Sequence, residues 1–254
     1  MSIAYFLVAH GSRDPRPQWA LEQIAVQLRL RLSRTHPALI GTGVLECSPL
    51  SLSQQLQQFA TQVRFAGVRE IQILPLFLLP GVHVKDDIPV EVATAQQIVG
   101  SDMTLQVLPF LGSHIESMAK ILTAQMQRHE VETWILIAHG SRRLGGNQPI
   151  EKLAEILKVT PAYWSVSPSL SAQTETLIQR HSTQIGILPY FLFSGGITDA
   201  IAASLQHLKQ QFSSVQFKFS PTLDQTPTFV NFIQTLLNST SYQWAEKKPD
   251  AAKQ

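Results

Sequence analysis

Cysteine is almost missing. Cys47 stands alone in 254 residues. A single thiol cannot close an internal disulfide, and without a Cys-x-x-Cys pair there is no thiolate metal or cluster motif. Cys47 itself reads as a small buried residue of a strand. Charge is also scarce, at 15% of residues, and nearly balanced at 20 basic against 18 acidic. No Lys/Arg run stands out, which argues against a nucleic-acid partner. No apolar run approaches the roughly 18 residues of a membrane span, so no membrane partner is expected. The opening Ile3–Ala9 is too short for a signal peptide and lacks a basic flank, which makes the cytoplasm the expected location. What the chain does have is hydrophobic residues, 44% of the total, as a folded chain does, and a length sufficient for two compact domains or one large one.

Those residues come in two periods. Residues 3–9, 40–47, 70–79 and 103–109 are short apolar runs, the pattern of strands buried on both faces. Between them lie helical stripes: Leu21, Ile24, Ala25, Leu28 and Leu32, then Leu52, Leu56, Phe59, Ala60 and Val63. Further helices are predicted over 88–99 and 115–128, and residues 11–17 as a polar loop. Strands alternating with helices predict an α/β fold with parallel sheets covered by helices.

The pattern then restarts. Trp134-Ile-Leu-Ile-Ala-His139-Gly-Ser-Arg142 repeats Tyr5-Phe-Leu-Val-Ala-His10-Gly-Ser-Arg13. Ser167-Pro168 answers Ser48-Pro49, and Ile187-Leu-Pro-Tyr-Phe191 answers Ile73-Leu-Pro-Leu-Phe77. Ser220-Pro221 falls opposite Leu108-Pro109. The spacing between copies shrinks along the chain, as it does when the second copy has shorter loops. Two similar doubly wound halves are therefore expected, 1–129 and 133–243, followed by a flexible tail over 244–254.

The copies differ in their polar groups. His10 ends the first strand and has a counterpart in His139. Glu46 ends the second strand, where the other copy has Ser165. His83 follows Pro80-Gly81 after the third, and the other copy has Gly196 or Ile197 there. His114 falls opposite Thr226. Parallel strands place functional groups just beyond their carboxyl ends, so the four groups should lie toward one edge. Two imidazoles and a carboxylate suit a first-row metal with open positions, or proton transfer. Ala-His-Gly-Ser-Arg invites comparison with histidine phosphatases, but Ala9 stands where those need an Arg.

Taken together, Ala9-His10-Gly-Ser-Arg-Asp, Glu46, the run Leu74-Pro-Leu-Phe-Leu-Leu-Pro-Gly-Val-His83-Val-Lys-Asp-Asp87-Ile-Pro and Leu111-Gly-Ser-His114 resemble the class II tetrapyrrole chelatases. More narrowly they resemble the long, two-domain sirohydrochlorin chelatases, over nearly the whole chain. The resemblance implies ATP-independent insertion of a divalent metal into sirohydrochlorin, a porphyrin-like macrocycle rimmed with carboxylates, in a cleft between two α/β halves. Fe²⁺ insertion, giving siroheme, is the first expectation, and Co²⁺ insertion for a cobalt corrinoid route the alternative. A noncatalytic tetrapyrrole or metal carrier is the reading from another class. By the same resemblance His10 and His83 serve as metal ligand or proton acceptor, and Glu46 assists. Leu79 and Val82 pack on the ring, Arg13, Lys85 and Arg16 pair with ring carboxylates, and His114 lines the substrate site. No cofactor beyond the substrate metal is implied. Short members need a dimer, whereas here the internal repeat supplies the second wall, so a monomer is expected.

Overall fold

The structure, a computed structural model, describes residues 3–32 and 38–245, the side chains of 240–245 excepted. Two four-stranded sheets account for the strands among these residues. The first contains β1 (Ile3–Ala9), β2 (Ile40–Val44), β3 (Glu70–Pro75) and β4 (Thr104–Val107), in the order β2-β1-β3-β4. The second contains β5 (Thr133–Ala138), β6 (Thr160–Tyr163), β7 (Gln184–Pro189) and β8 (Gln216–Phe219), in the order β6-β5-β7-β8. Every pairing is parallel. The fold is α/β, with each sheet flanked by helices.

The first sheet is buried on both faces, so its strands read as continuous apolar runs. Phe6, Val8, Ile71 and Ile73 face a cluster made with Leu52, Leu56 and Phe59 of α2 (Leu52–Phe65) and Ile88, Val92 and Ala95 of α3 (Ile88–Val99). Tyr5 points to the other face, where its hydroxyl donates to the Leu237 carbonyl of α8 (Pro227–Ala245) at 3.4 Å. The second sheet has the matching cluster. Ile135, Ile137, Ile185 and Ile187 pack on Leu170 and Leu177 of α6 (Leu170–Gln179) and on Ile201, Leu205 and Leu208 of α7 (Gly196–Gln211). Each fully buried Ile, Leu or Phe stabilises its unit by about 1.5–3 kcal/mol.

Local chemistry sets the helix ends. The first helix, α1 (Pro15–Leu32), begins earlier than its apolar stripe suggests. Asp14 caps it by accepting from the Arg16 N–H at 3.0 Å, and Pro15, at the first helical position, has no N–H to satisfy. The α2 helix starts with a reciprocal capping box between Ser51 and Gln54. Beyond the first sheet, α4 (Ile115–Met126) packs on α5 (Gln148–Leu157) and β7.

The compact units do not follow the repeat boundary. Unit one comprises Met1–Arg13, Gln18–Leu111 and the last helix, α8; unit two comprises Asp14–Pro17 and Gly112–Thr226, and so includes α4. An amphipathic stripe tells a helix to bury one face, not which sheet will cover it. The segment read as a tail begins inside α8, and residues 246–254 lie outside the described residues. No helix among the described residues is long and apolar enough to cross a membrane.

Unit two holds a carboxyl that burial disfavours in its charged form. Asp224 accepts from the Thr222 hydroxyl at 2.6 Å, yet burial outweighs that bond and raises its pKa. The folded state therefore holds this proton more tightly than the unfolded chain. Stability from this group is present below the ordinary carboxylate range and is lost as pH rises through it toward the raised value. Asp224→Asn keeps an acceptor for Thr222 and cannot titrate. Urea midpoints measured against pH should show wild type losing stability relative to Asp224→Asn over that window. A constant difference across it would contradict the assignment.

Candidate metal centre

In a doubly wound sheet the chain leaves its first strand in both directions, opening a crevice at the carboxyl ends. Here that switch point lies between β1 and β3. His10 follows β1 directly, and His83 follows β3 by way of Phe77, Pro80 and Gly81. Glu46 lies two residues past β2, which ends at Val44 rather than running to Cys47. The backbone ladder nevertheless continues: Leu45 N–H donates to the Ala9 carbonyl at 3.2 Å and Glu46 N–H to that of His10 at 2.8 Å. Those two bonds hold Glu46 beside His10. On the other side Leu76 N–H reaches the Val8 carbonyl at 2.7 Å.

Two backbone positions make this approach possible. Gly11 has φ +96°, and a Cβ there would stand 2.0 Å from the Glu46 carbonyl oxygen, so only glycine fits. Cys47 takes φ +60° as the chain turns away from the ladder. It is exposed, which corrects the expectation of a buried strand residue. The strand stops before Cys47, so the apolar environment of the sheet interior never reaches it.

His83 lies in a helical turn rather than in a loop. Residues His83–Asp87 form a single π turn that leads straight into α3, with Ile88 N–H donating to the His83 carbonyl. Such turns are one-residue insertions into an α-helix. The second unit makes the insertion visible. Phe77 and Phe191 pack alike against their cores, and Val82 and Gly196 each open a helix. Yet Ile88, Val92 and Ala95 answer Ile201, Leu205 and Leu208, so the first unit spends one residue more on that turn.

The three side chains meet. The His10 and His83 rings stand edge to face, 4.6 Å between centroids and 87° between planes. His10 Nδ1 lies 4.0 Å from Glu46 Oε2. One ligating atom from each of the three residues falls within 4.8 Å of the others, the one such set among the described residues. Bonds of about 2.0–2.2 Å to one ion put its ligand atoms about 3–4 Å apart, so small side-chain rotations close the set. Phe77 flanks both rings, at 6.4 and 6.1 Å. The side chains of His10 and Glu46 are about half exposed, leaving coordination positions open. Beside them a cavity of about 300 Å³ is lined by Leu45, Glu46, Leu52, His83, Asp87 and Glu91, among others.

Both rings have an oxygen beside Nδ1. His10 Nδ1 lies 3.1 Å from the Gly11 carbonyl, and His83 Nδ1 lies 2.7 Å from Asp87 Oδ2. Both partners are acceptors, so these bonds form when Nδ1 carries the hydrogen, and that tautomer keeps the Nε2 lone pair free. Asp87 lies in the run that carries the resemblance, but sequence reasoning gave it no role. Its signal was there, a carboxylate four residues after a histidine, but that spacing matters only within a helix.

The other candidate residues are more dispersed. Arg13 and Lys85 are exposed, Val82 is exposed and Leu79 half-buried. Arg16 is engaged already, donating to Asp14 and, at 2.6 Å, to Asp199 Oδ2; these hydrogen bonds, with its charge, hold both carboxyls below the usual range. His114 precedes α4 in the second unit and is not one of the clustered ligands; burial lowers its pKa.

The second unit repeats the framework without the ligands. Trp164 N–H reaches the Ala138 carbonyl and Ser165 N–H that of His139, both at 2.9 Å, the register of Leu45 and Glu46. Ser165 thus occupies the place of Glu46. His139 is exposed, and Ile197 stands where His83 does.

Fold and site together describe an α/β protein with an open three-ligand set able to take a metal ion. Comparison with known proteins narrows that class. The CbiX family model matches residues 4–129 and again 133–240, and the chain belongs to that family. It is similar to a sirohydrochlorin ferrochelatase of Priestia megaterium, 28% identical over 82% of this chain and 81% of that protein. It is also similar to a sirohydrochlorin cobaltochelatase of the same organism, 25% identical over 84% of this chain and 72% of that one. Among solved structures, SirB from Bacillus subtilis with Fe³⁺ shares the fold, with a TM-score of 0.77 at 20% identity, covering 97% of this chain and 98% of that chain.

Proposed function

We propose that this chain is a sirohydrochlorin chelatase, inserting Fe²⁺ into sirohydrochlorin without ATP to form siroheme. The observation that carries the reading is the convergence of His10, Glu46 and His83, open to solvent at the switch point of the first sheet. Insertion exchanges the inner pyrrole protons of the macrocycle for one divalent ion. The site must therefore present the ion and accept protons. Neutral imidazoles do both, and Glu46 offers either a third ligand or a proton relay. The metal is substrate, and no other cofactor is needed. Metal binding to these groups weakens as pH falls, because protons compete for the same lone pairs, so activity should fall in acid.

Co²⁺ is the second candidate, favoured by the similarity to a cobaltochelatase. Imidazole and carboxylate accept both ions, and supply often decides. A carrier that binds without turning over is disfavoured by the pair of imidazoles, since a carrier has no need of a proton acceptor. The deciding experiment mixes protein, excess sirohydrochlorin and Fe²⁺ or Co²⁺ anaerobically and follows the metal-free absorbance band. Conversion well beyond one equivalent supports the enzyme. Arrest at one equivalent means a carrier, and no change with either ion contradicts the whole reading.

The macrocycle's carboxylates need a positive field, and a nearly neutral chain must supply it locally. Arg13 and Lys85 are proposed for that role, and Leu79 and Val82 for apolar contact with the ring. With Arg16 committed to two aspartates, Arg13 and Lys85 are the ones to test. Exposed ion pairs contribute about 0–1 kcal/mol each. Arg13→Ala with Lys85→Ala should raise the Michaelis constant severalfold with less effect on turnover, the signature of uniform binding. Added salt should weaken wild type more than the double variant. Unchanged affinity and salt dependence would place carboxylate recognition elsewhere. A single chain is proposed to be active, and sedimentation of the working enzyme as an obligate dimer would contradict that.

A further inference from the structure

The π turn at the start of α3 holds more than a ligand. His83 and Asp87 are four residues apart, and Nδ1 meets Oδ2 at 2.7 Å. That bond is far shorter than any contact His10 makes with a carboxylate, its Nδ1 being 4.0 Å from Glu46 and bonded instead to the neutral Gly11 carbonyl. The two imidazoles are thus held differently, one by a charged acceptor on its own helix and one by backbone. The pair also disappears as a pair. In the second unit Ile197 replaces His83, and the residue four further on is Ile201, fully buried. The extra residue of the turn is missing there as well, because Ile201 answers Ile88. Histidine, carboxylate and inserted residue are present together or absent together. A turn retained only for packing has no reason to bring a partly exposed hydrogen-bonding pair with it.

We propose that Asp87 is the positioning residue for His83: its carboxylate, delivered by the one-residue π insertion, fixes the hydrogen on Nδ1 and aims Nε2 at the site shared with His10 and Glu46. The inference rests on reading that site as a metal centre. A carboxylate behind a ligating imidazole fixes both its tautomer and its orientation, and loss of such a partner typically costs about 10–100-fold in metal affinity or activity. Asp87 touches neither ion nor macrocycle in this account and acts only through His83.

The test uses the full chain, with Asp87→Ala and the isosteric Asp87→Asn, and two readouts. The first is the ¹⁵N spectrum of the histidine-labelled protein, which reports the His83 tautomer without metal. The second is Co²⁺ affinity by titration, with insertion kinetics alongside. Asp87→Ala should leave His83 distributed over both tautomers and lower Co²⁺ affinity about 10–100-fold, with the Michaelis constant for sirohydrochlorin little changed. Asp87→Asn still offers an oxygen acceptor and should restore the Nδ1–H tautomer and most of the affinity. If Asp87→Ala keeps one tautomer and wild-type affinity, or if Asp87→Asn rescues neither, the inference is overturned. Wild type that binds no Co²⁺ overturns the metal reading instead, and the spectrum still decides the tautomer.

Discussion

His10→Ala and His83→Ala are each expected to lower metal insertion by at least about a hundredfold, while His139→Ala leaves it close to wild type. His10 and His139 follow corresponding strands with the same backbone ladder beside them, so the contrast between those two isolates chemistry from fold. His10 has His83 at 4.6 Å between ring centroids and Glu46 alongside. His139 has Ser165 and Ile197 in those places. Removing His10 or His83 would take away a proposed metal ligand or proton acceptor, from a set with only three donors. Both side chains are at least partly exposed, so truncation creates no large cavity and folding should be spared. Comparable thermal midpoints across the three variants are part of the expected result. Equal losses from His10→Ala and His139→Ala would move the site out of the first unit.

Gly11→Ala is expected to damage the fold and the site at once. The left-handed backbone costs a non-glycine residue about 1–2 kcal/mol. The new methyl would also meet the Glu46 carbonyl oxygen at 2.0 Å, and that is backbone, with no side-chain rotation to relieve it. Relief requires parting β1 from the segment after β2, which breaks the Glu46 N–H bond to His10. Together these amount to about 3 kcal/mol or more of lost stability. Gly67 is the matched control, with φ +76° but no atom within 4 Å of an added Cβ. Gly67→Ala should cost only the conformational part, about 1 kcal/mol, and leave Co²⁺ affinity intact. Denaturant midpoints and Co²⁺ titration of both variants check this. A Gly11→Ala protein as stable as Gly67→Ala, still binding metal, would refute the packing argument.

Much of the fold is legible in the sequence, because buried parallel strands and amphipathic stripes are strong periodic signals. β1 runs over the expected residues, and a helix spans 88–99 as expected. The ends of elements are less legible. β3 stops at Pro75, since the apolar run to Leu79 continues as packing around Phe77 rather than as strand. α1 starts at Pro15, where the Asp14 cap outweighs the absence of apolar residues. The sequence also singles out His10, Glu46 and His83, by their place after strands and, for Glu46 and His83, by their loss in the second copy. It does not reveal the π turn. One inserted residue leaves no periodic trace and emerges only when the two cores are superposed residue by residue. The pairing of Asp87 with His83 was hidden for the same reason. The partition of α4 and α8 between units was beyond reach too, because which sheet covers a helix is decided by tertiary packing.

The most direct measurement is anomalous diffraction at the cobalt edge from crystals soaked in Co²⁺. The account predicts one strong peak bonded to His10, Glu46 and His83, at about 2.0–2.2 Å from each ligand atom. A peak at His139, or none at the first-unit triad while the protein inserts metal in solution, would contradict it.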